Sequence, residues 1–222
     1  MMAADLPSDP TLDEVRAALA PLVARNAAFD GWSGAAVEMA AQQAGVAPEI
    51  AALAFDGGPV AMIDAWFAQI DTAMLETYSA KKLSAMKVRE RITALVEARL
   101  ALLARDREAL RRALAILAMP VNVSRAAKLG WRAADIMWRA AGDTAVDYNH
   151  YSKRALLAGI YSATLLVFLD DESEDHGETR AFLARRIGNV MQFEKAKARF
   201  EKRADRRPSL ARFVGRLRYH AR

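Results

Sequence analysis

An uncharged run from residue 155 to residue 169 constrains this chain more than any other feature. Lys153 and Arg154 precede it, and Asp170 and Asp171 follow it. A bilayer span needs about 20 apolar residues, so the run is too short to cross a membrane. A helix that is apolar all round is either buried inside a protein or lines an apolar cavity. The run therefore predicts a core helix or a cavity wall.

The composition of the chain favours an all-helical fold. Alanine and leucine are abundant among its 222 residues, glycine (11) and proline (7) are few, and alternating β-branched residues are scarce. The length allows a good core in one domain or two. The absence of cysteine excludes disulfides, thiolate metal sites and cysteine nucleophiles. The N-terminal residues resemble neither a signal peptide nor a transit peptide, so we expect a cytosolic, bacterial protein.

The net charge of +5 hides an asymmetry between the two parts of the chain. Residues 1–80 carry 11 acids against Arg16 and Arg25, a net charge of −9, while residues 81–222 carry a net charge of +14. Binding to nucleic acid needs Lys and Arg side chains that neutralise phosphates. The acidic N-terminal part is therefore disfavoured as a DNA-binding module.

The N-terminal part nevertheless has the outline of a helix-turn-helix. Thr11 and Glu14 form the capping-box pattern that begins a first helix. A second helix is predicted over about residues 33–43, and a turn over residues 44–47 leads to a short helix over residues 48–55. This spacing resembles the N-terminal domain of TetR-type regulators, in which an aromatic residue closes the recognition helix.

The predicted recognition helix lacks the side chains that contact DNA. Residues 48–55 contain no Arg, Lys, Asn, Gln, Ser or Thr, and Glu49 would repel a phosphate. This composition favours a helical scaffold that has lost its groove contacts. The alternative function, a ligand-responsive TetR-type transcriptional regulator, predicts sequence-specific and salt-dependent DNA binding.

Two further stretches are interpreted as structural. After a break at residues 57–59, a helix over residues 60–78 carries apolar residues at helical spacing that indicate core: Met62, Ile63, Trp66, Phe67, Ile70 and Met74. From Lys81 the chain becomes basic, and its arginines are expected at solvated positions: Arg89, Arg91, Arg99, Arg105 and Arg107.

The helix predicted over about residues 124–141 has two opposed faces. One is an apolar stripe of Leu129, Ala133, Ile136 and Ala140. Trp131, Asp135 and Trp138 lie roughly opposite. Partly exposed tryptophans are typical of interaction surfaces, whereas aromatic stripes are more often core. The spacing leaves both interpretations open.

The uncharged run belongs to a long helix predicted to begin at about Asp147. Its interruptions are small or hydroxylated residues, which leave room for large apolar neighbours to wall a cavity. Tyr161 and Thr164 would then be the few polar contacts of a small-molecule pocket. A well-packed core helix has the same composition, and composition alone favours the core.

A set of motifs in this region resembles the signature of the ubiquinone (coenzyme Q) biosynthesis accessory proteins, a family with a TetR-like lipid-binding fold. The motifs are Asp135-x-x-Trp138, Ala141-Gly142-Asp143, Asp147-x-Asn149-x-Tyr151-x-Lys153-Arg154-Ala155, Tyr161-Ser162-Ala163-Thr164 with Asp170-Asp171, and Thr179-x-x-Phe182-Leu183-x-x-Arg186-Ile187. The resemblance is specific over about residues 120–195 and only architectural before them.

The resemblance implies a homodimer of TetR type that does not bind DNA. It implies an apolar pocket for isoprenoid lipids, and assistance to a di-iron hydroxylase that acts on demethoxyubiquinone. It also matches Asp135 and Trp138 to the family's patch for contacting that hydroxylase. With the resemblance included, the pocket is favoured over a plain core.

The resemblance and the spacing together give two sets of expected site residues. The expected lipid-binding residues are Met137, Leu156, Ile160, Tyr161, Thr164, Leu165 and Phe168. The expected partner-binding residues are Trp131, Asp135, Trp138, Tyr148 and Tyr151.

We expect no cofactor and no resident metal. The acidic segment over residues 170–176 lacks the glycine and ligand spacing of an EF-hand and is interpreted as a solvated loop between helices. With three histidines and no Glu-x-x-His motif, the chain cannot supply a di-iron site of the bundle type. Any iron would therefore belong to a partner protein.

The end of the chain is strongly basic. From Lys195 onwards 11 bases face Glu201 and Asp205, and Pro208 can begin a terminal helix. Apolar residues recur there at i, i+3, i+4 and i+7 with bases at other positions, as in a helix that lies on an anionic membrane surface. Docking on the protein's own body and binding to RNA are the lower-ranked alternatives. The expected membrane-binding residues are Leu210, Arg212, Phe213, Val214, Arg216 and Leu217.

The sequence thus predicts an all-α, TetR-like bundle of about nine or ten helices. Residues 1–80 would form the helix-turn-helix remnant, residues 81–195 the lipid-binding and dimerisation part, and residues 196–222 the basic tail with its amphipathic helix. The predicted function is non-enzymatic: the protein binds an isoprenoid quinone intermediate or a phospholipid and presents it to a demethoxyubiquinone-type hydroxylase at the inner membrane. No nucleic-acid partner is expected.

Overall fold

The computed structural model describes residue 7, residues 9–144 and residues 148–190, apart from the side chains of Tyr148 and Asn149. Over these ranges the regular structure is helical, without a strand. Residues up to Leu183 belong to one compact unit, and residues 184–190 belong to a second. The all-α prediction is confirmed.

The described part of the chain contains nine α-helices with defined ends, and residues 177–190 are also helical. In chain order these nine are α1 (Leu12–Asp30), α2 (Gly34–Ala44), α3 (Pro48–Ala54), α4 (Gly58–Thr77), α5 (Ala80–Ser84), α6 (Val88–Leu103), α7 (Arg107–Leu117), α8 (Val123–Ala140) and α9 (Tyr148–Asp170). This agrees with the predicted count.

The ends of the first three helices follow from local chemistry. Thr11 and Glu14 form the predicted capping box, with 2.8 Å between Thr11 N and Glu14 Oε2. Gly45 ends α2 in the left-handed region with φ +71°, a conformation that a glycine adopts without strain. Pro48 occupies the first turn of α3, where its missing N–H costs nothing. The helix-turn-helix outline is therefore confirmed.

Helix α3 presents no base to its surroundings. Its exposed residues are Pro48, Glu49, Ile50, Ala52 and Leu53. Phe55 ends the helix and is buried, as the TetR-like spacing predicted. Helix α4 then begins at Gly58, at 87° to α3, so residues 58 and 59 belong to its first turn rather than to the predicted break.

Helix α4 is the central element of the bundle and packs against α1, α6, α7 and α8. Its six predicted core residues are all buried: Met62, Ile63, Trp66, Phe67, Ile70 and Met74. The Trp66 ring lies 5.4 Å from that of Trp32, whose indole N–H donates to the carbonyl of Ala109 in α7 at 3.1 Å. The assignment of this stretch to the core is confirmed.

The acidic segment after α9 is not wholly solvated, because Asp171 is buried. Its carboxylate accepts hydrogen bonds from the backbone N–H of Ser173 (2.9 Å) and of Thr179 (2.8 Å), and from both hydroxyls. Burial alone would raise the pKa of Asp171, but these hydrogen bonds outweigh it and hold the pKa well below its ordinary value. Asp171 thus caps the helical residues that start at 177.

Candidate functional site

Helix α9 is buried on one side only. Leu157, Tyr161 and Phe168 face the interior, whereas Leu156 and Leu166 are 41% and 61% exposed. The helix extends the uncharged run at both ends, and residues 150–170 are long and apolar enough to span a membrane by length and composition, with 39% of that window buried. Of the two interpretations of the uncharged run, the helix that is buried all round is therefore wrong, because Leu156 and Leu166 lie on an open side.

An apolar cavity of about 220 Å³ lies between α9 and the helices packed on its buried side. Its walls are formed mainly by Phe67, Leu114, Leu117, Leu129, Leu165 and Leu166. Two of the expected lipid-binding residues, Tyr161 and Leu165, line this cavity. The sequence-based interpretation of α9 as a cavity wall therefore holds at these two positions.

The other expected lipid-binding residues are not among those that line this cavity. Met137, Thr164 and Phe168 are fully buried, and the Thr164 hydroxyl donates to the carbonyl of Ile160 one turn earlier, at 2.7 Å. Ile160 is half-buried and Leu156 is exposed. A role in lipid binding stays a prediction for all seven residues, including Tyr161 and Leu165.

The polar end of the cavity is formed by Arg99 of α6 with Tyr161. Arg99 is only 1% exposed, and its Nη1 pairs with the carboxylate of Asp71 in α4. Its Nε–H donates to the Tyr161 hydroxyl at 3.1 Å, and its guanidinium lies 5.1 Å from the centre of the Tyr161 ring. The expectation that Arg99 is solvated is wrong, because its helix turns this position towards a carboxylate on α4.

The carboxylate of Asp71 also faces a second base. Arg132 of α8 lies with its Nε 3.5 Å from Asp71 Oδ2, and its guanidinium also pairs with Asp64, which lies two turns earlier on the same face of α4. Two acids on α4 thus compensate one base on α6 and one on α8. The sequence signal for this cluster was Asp71 itself, a lone acid between the core residues Ile70 and Met74.

A second set of ion pairs joins α8 to the start of α9. Arg154, itself 1% exposed, reaches Asp135 of α8 through Nε (2.5 Å) and Asp143 through Nη1 (3.0 Å). Arg139 also pairs with Asp135 (2.9 Å), and Lys153 with Asp143 (2.8 Å). Burial acts to raise the pKa of both carboxyls, but the hydrogen bonds from these bases outweigh it and hold each pKa below its ordinary value.

The predicted partner face lies beside these ion pairs. Trp131 and Trp138 are half-buried, and the indole N–H of Trp138 donates to the carbonyl of Lys153 at 3.1 Å. The Trp131 ring lies 6.1 Å from that of Tyr151, which is 61% exposed. The charge of Asp135 is already paired within the chain. Of the described members of this face, Tyr151 offers the largest exposed fraction.

Several predictions fall outside the described residues. They concern the side chain of Tyr148, the cap at Asp147, and the tail with its expected membrane-binding residues Leu210, Arg212, Phe213, Val214, Arg216 and Leu217. These assignments stay predictions, as do the domain boundaries at residues 80 and 195.

The chain is similar to known proteins both in sequence and in fold. The sequence profile of the COQ9 family matches residues 123–194, which include α8, α9 and the residues that follow them. The mitochondrial ubiquinone biosynthesis protein COQ9 of Rattus norvegicus is 34% identical over 167 residues, 72% of this chain and 54% of that protein. The Bos taurus COQ9 is 32% identical over 170 residues, 72% of this chain and 52% of that protein.

The Homo sapiens COQ9 is 42% identical over 96 residues, 43% of this chain and 30% of that protein. The chain spans about half the length of the first two of these relatives. Among solved structures, a TetR transcriptional regulator from Nitrosomonas europaea ATCC 19718 superposes with a TM-score of 0.63 at 26% sequence identity, covering 80% of this chain and 98% of the regulator.

The profile match covers α8 and α9, which are two of the five helices that line the cavity, together with the ion pairs between them. Residues 123–194 therefore belong to the COQ9 family of ubiquinone biosynthesis proteins, and the chain has a TetR-like fold.

Proposed function

We propose that this chain is a non-catalytic accessory protein of ubiquinone biosynthesis, which binds an isoprenoid quinone intermediate and presents it to a hydroxylase at the membrane. The observation that carries the proposal is the apolar cavity beside Tyr161 and Leu165. Helices α8 and α9, which lie within the family match, form part of its wall. The COQ9 relatives are named for ubiquinone biosynthesis, which supplies the pathway.

The physical reason for such a protein is the insolubility of its ligand. Each buried CH₂ group is worth about 0.8 kcal/mol, so a polyprenyl chain strongly resists leaving a membrane for water. A cavity of about 220 Å³ holds only a part of such a molecule, since pockets for whole small ligands are typically about 300–1,000 Å³. Leu166, exposed at the cavity rim, offers apolar surface to the remainder.

The proposed partner surface for a demethoxyubiquinone-type hydroxylase consists of Trp131, Asp135, Trp138, Tyr148 and Tyr151. Its support is that Tyr151 is exposed with its ring 6.1 Å from that of Trp131, as expected of an interaction surface. Within it, Asp135 acts by holding α8 to α9 through Arg154 rather than by offering a free charge.

The proposed homodimer would use the first part of the open side of α9. There the exposed Leu156 lies among small residues, Ala155 and Gly159, which let a second helix approach closely, while Ser162 and Leu166 stay open as the cavity rim. The basic tail over residues 196–222 is proposed to bring the protein to the surface of an anionic membrane.

A lipid-extraction experiment tests the proposal. The full chain is purified from cells that make ubiquinone, and its lipids are extracted and identified by mass spectrometry. We expect an isoprenoid quinone-type lipid, reduced about tenfold or more in Leu166→Glu, because a carboxylate at the rim opposes an apolar ligand. Leu53→Glu, on the exposed side of α3, is the matched control. Purified protein without any isoprenoid lipid would refute the proposed function.

A further inference from the structure

The hydroxyl oxygen of Tyr161 already accepts one hydrogen bond, and the hydroxyl proton is still available to be donated. The oxygen accepts the Nε–H of Arg99 at 3.1 Å, and both side chains line the apolar cavity. Among the described residues no protein group accepts the hydroxyl proton in return. A cationic donor on the oxygen polarises the O–H bond and makes it a stronger donor to a further acceptor. Tyr161 therefore offers a hydrogen bond to whatever fills the cavity.

The charges around this hydroxyl are already balanced. Arg99 and Arg132 provide two positive charges, and Asp71 and Asp64 provide two negative ones. An anionic ligand group placed beside Tyr161 would add a buried charge without a free counter-charge, because Arg99 is already paired with Asp71, and such a charge is costly. An uncharged acceptor oxygen adds no charge and uses the free proton, so it is the ligand group that this end of the cavity fits.

We propose that the cavity recognises an uncharged carbonyl or ether oxygen on an apolar body, through a hydrogen bond from the Tyr161 hydroxyl that Arg99 and Asp71 hold in the donor orientation. This inference rests on the proposed lipid-binding function and sharpens it. It selects a quinone-type ring, or the ester carbonyl of an acyl lipid, over a phosphate group. Arg99 and Asp71 act as positioning residues, because they reach the ligand only through Tyr161.

The shape of the cavity agrees with a ligand whose oxygen-bearing end enters first and whose apolar end stays at the rim. Its inner residues, Arg99 and Tyr161, are buried, while Ala118, Ser162 and Leu166 at its rim are exposed. The volume of about 220 Å³ suits a substituted ring or a short acyl segment. The rest of an isoprenoid chain would leave past Leu166, on the open side of α9.

Titration calorimetry of the delipidated full chain tests the inference with four probes of similar size. They are the dimethoxy-methyl-benzoquinone ring of ubiquinone without its isoprenoid chain, methyl octanoate, hexylbenzene and hexyl phosphate. We expect the quinone or the ester to bind about tenfold more tightly than the hydrocarbon, as one buried hydrogen bond allows, and the phosphate to bind more weakly than either. Whichever of the quinone and the ester binds more tightly identifies the source of the oxygen.

Two variants test whether the hydrogen bond to the probe comes from Tyr161. Tyr161→Phe should lose about tenfold in affinity for the neutral oxygen probe and leave hexylbenzene binding unchanged. Tyr78→Phe, at the end of α4 and outside the cavity, should change neither. Should Tyr161→Phe fail to fold by circular dichroism, the wild-type ranking of the four probes decides alone.

The outcomes separate the inference from the proposed function. Equal binding of quinone, ester and hydrocarbon, abolished by Leu166→Glu, would overturn the recognition by Tyr161 while leaving an apolar lipid pocket in place. Hexyl phosphate binding as tightly as the quinone would overturn the preference for an uncharged oxygen. Absence of binding by every probe would overturn both.

Discussion

Arg154 of α9 and Asp143 beyond the end of α8 form a buried ion pair, with 3.0 Å between Arg154 Nη1 and Asp143 Oδ2. The same guanidinium reaches Asp135 through its Nε at 2.5 Å. One arginine of α9 therefore holds both the body of α8 and the segment that connects the two helices. Because these two helices carry the proposed partner face, the arginine fixes the geometry of that face.

Replacing Arg154 should destabilise the protein strongly. Arg154→Met removes one buried base and leaves two carboxylates without their main partner, which costs about 3–5 kcal/mol in the free energy of unfolding. Arg139→Met removes an exposed partner of the same Asp135 and should cost about 0–1 kcal/mol. Urea denaturation followed by circular dichroism measures both. Equal losses in the two variants would contradict the central role of Arg154.

The ion pairs between α8 and α9 should also make stability depend on pH. Asp135 and Asp143 have lower pKa values in the fold than when unfolded, so they stabilise it above about pH 4, the unfolded value. That contribution is lost as the pH falls through the folded pKa. Urea midpoints should therefore drop between about pH 5 and pH 2, and less steeply in Asp143→Asn. Glu38→Gln, an exposed acid on α2, should keep the wild-type slope.

Removing one partner of the buried ion pair between Arg99 and Asp71 should lower the free energy of unfolding much more than replacing both partners by apolar residues. Asp71→Leu strands the Arg99 charge in the core and should cost about 3–5 kcal/mol. Adding Arg99→Met to it should recover most of that loss, because a buried ion pair contributes little more than apolar residues of similar size. Urea denaturation of the two single variants and the double variant gives the coupling energy. Strictly additive losses would mean that the two side chains do not depend on each other.

The exposed aromatic of the proposed partner face should be needed for capture of the hydroxylase. Tyr151→Glu should reduce capture in a pull-down with a purified demethoxyubiquinone hydroxylase by about tenfold or more, without lowering the melting temperature, since the side chain is largely exposed. Phe29→Glu, an exposed aromatic at the end of α1, is the matched control. Capture that survives Tyr151→Glu would place the contact elsewhere.

The basic tail should carry the membrane affinity. Leu210→Glu together with Phe213→Glu, in the full chain, should abolish flotation with anionic liposomes, because the two charges replace the apolar anchors. Raising the salt concentration should weaken the wild-type flotation through screening of its bases. Flotation that is unchanged in the double variant would assign membrane contact to another part of the chain.

The sequence predicted well wherever a feature depends on neighbouring residues. The capping box at Thr11, the turn before Pro48 and the buried stripe of α4 all follow from spacings of a few positions. The errors concern partners far apart in the chain: Arg99 finds Asp71, 28 positions away, in another helix. A count of charges assigns such a base to solvent, since only the packing of α6 against α4 brings the two together.

The same distinction applies to the site. Tyr161 and Leu165 were predicted as cavity wall only with the family resemblance, since the uncharged run alone favoured a packed core. Arg99, which polarises the Tyr161 hydroxyl, was not predicted there. Asp135 was predictable as a residue of α8 facing away from Ala133, yet its pairing with Arg154 depends on the antiparallel course of α9. Periodicity specifies which face of a helix a residue occupies, and it carries no information on the helix that packs there.

The half-open helix α9 has a consequence for how the chain is made. Residues 150–170 have the length and composition of a membrane span, so a nascent chain offers the insertion machinery a segment it can accept. Folding in water competes with insertion into the membrane. The ion pairs of Arg154 near the start of α9 and the hydrogen bonds of Asp171 just after its end favour folding in water. Variants that lose the Arg154 pairs or the Asp171 cap should therefore show a larger membrane-bound fraction after synthesis than the wild type.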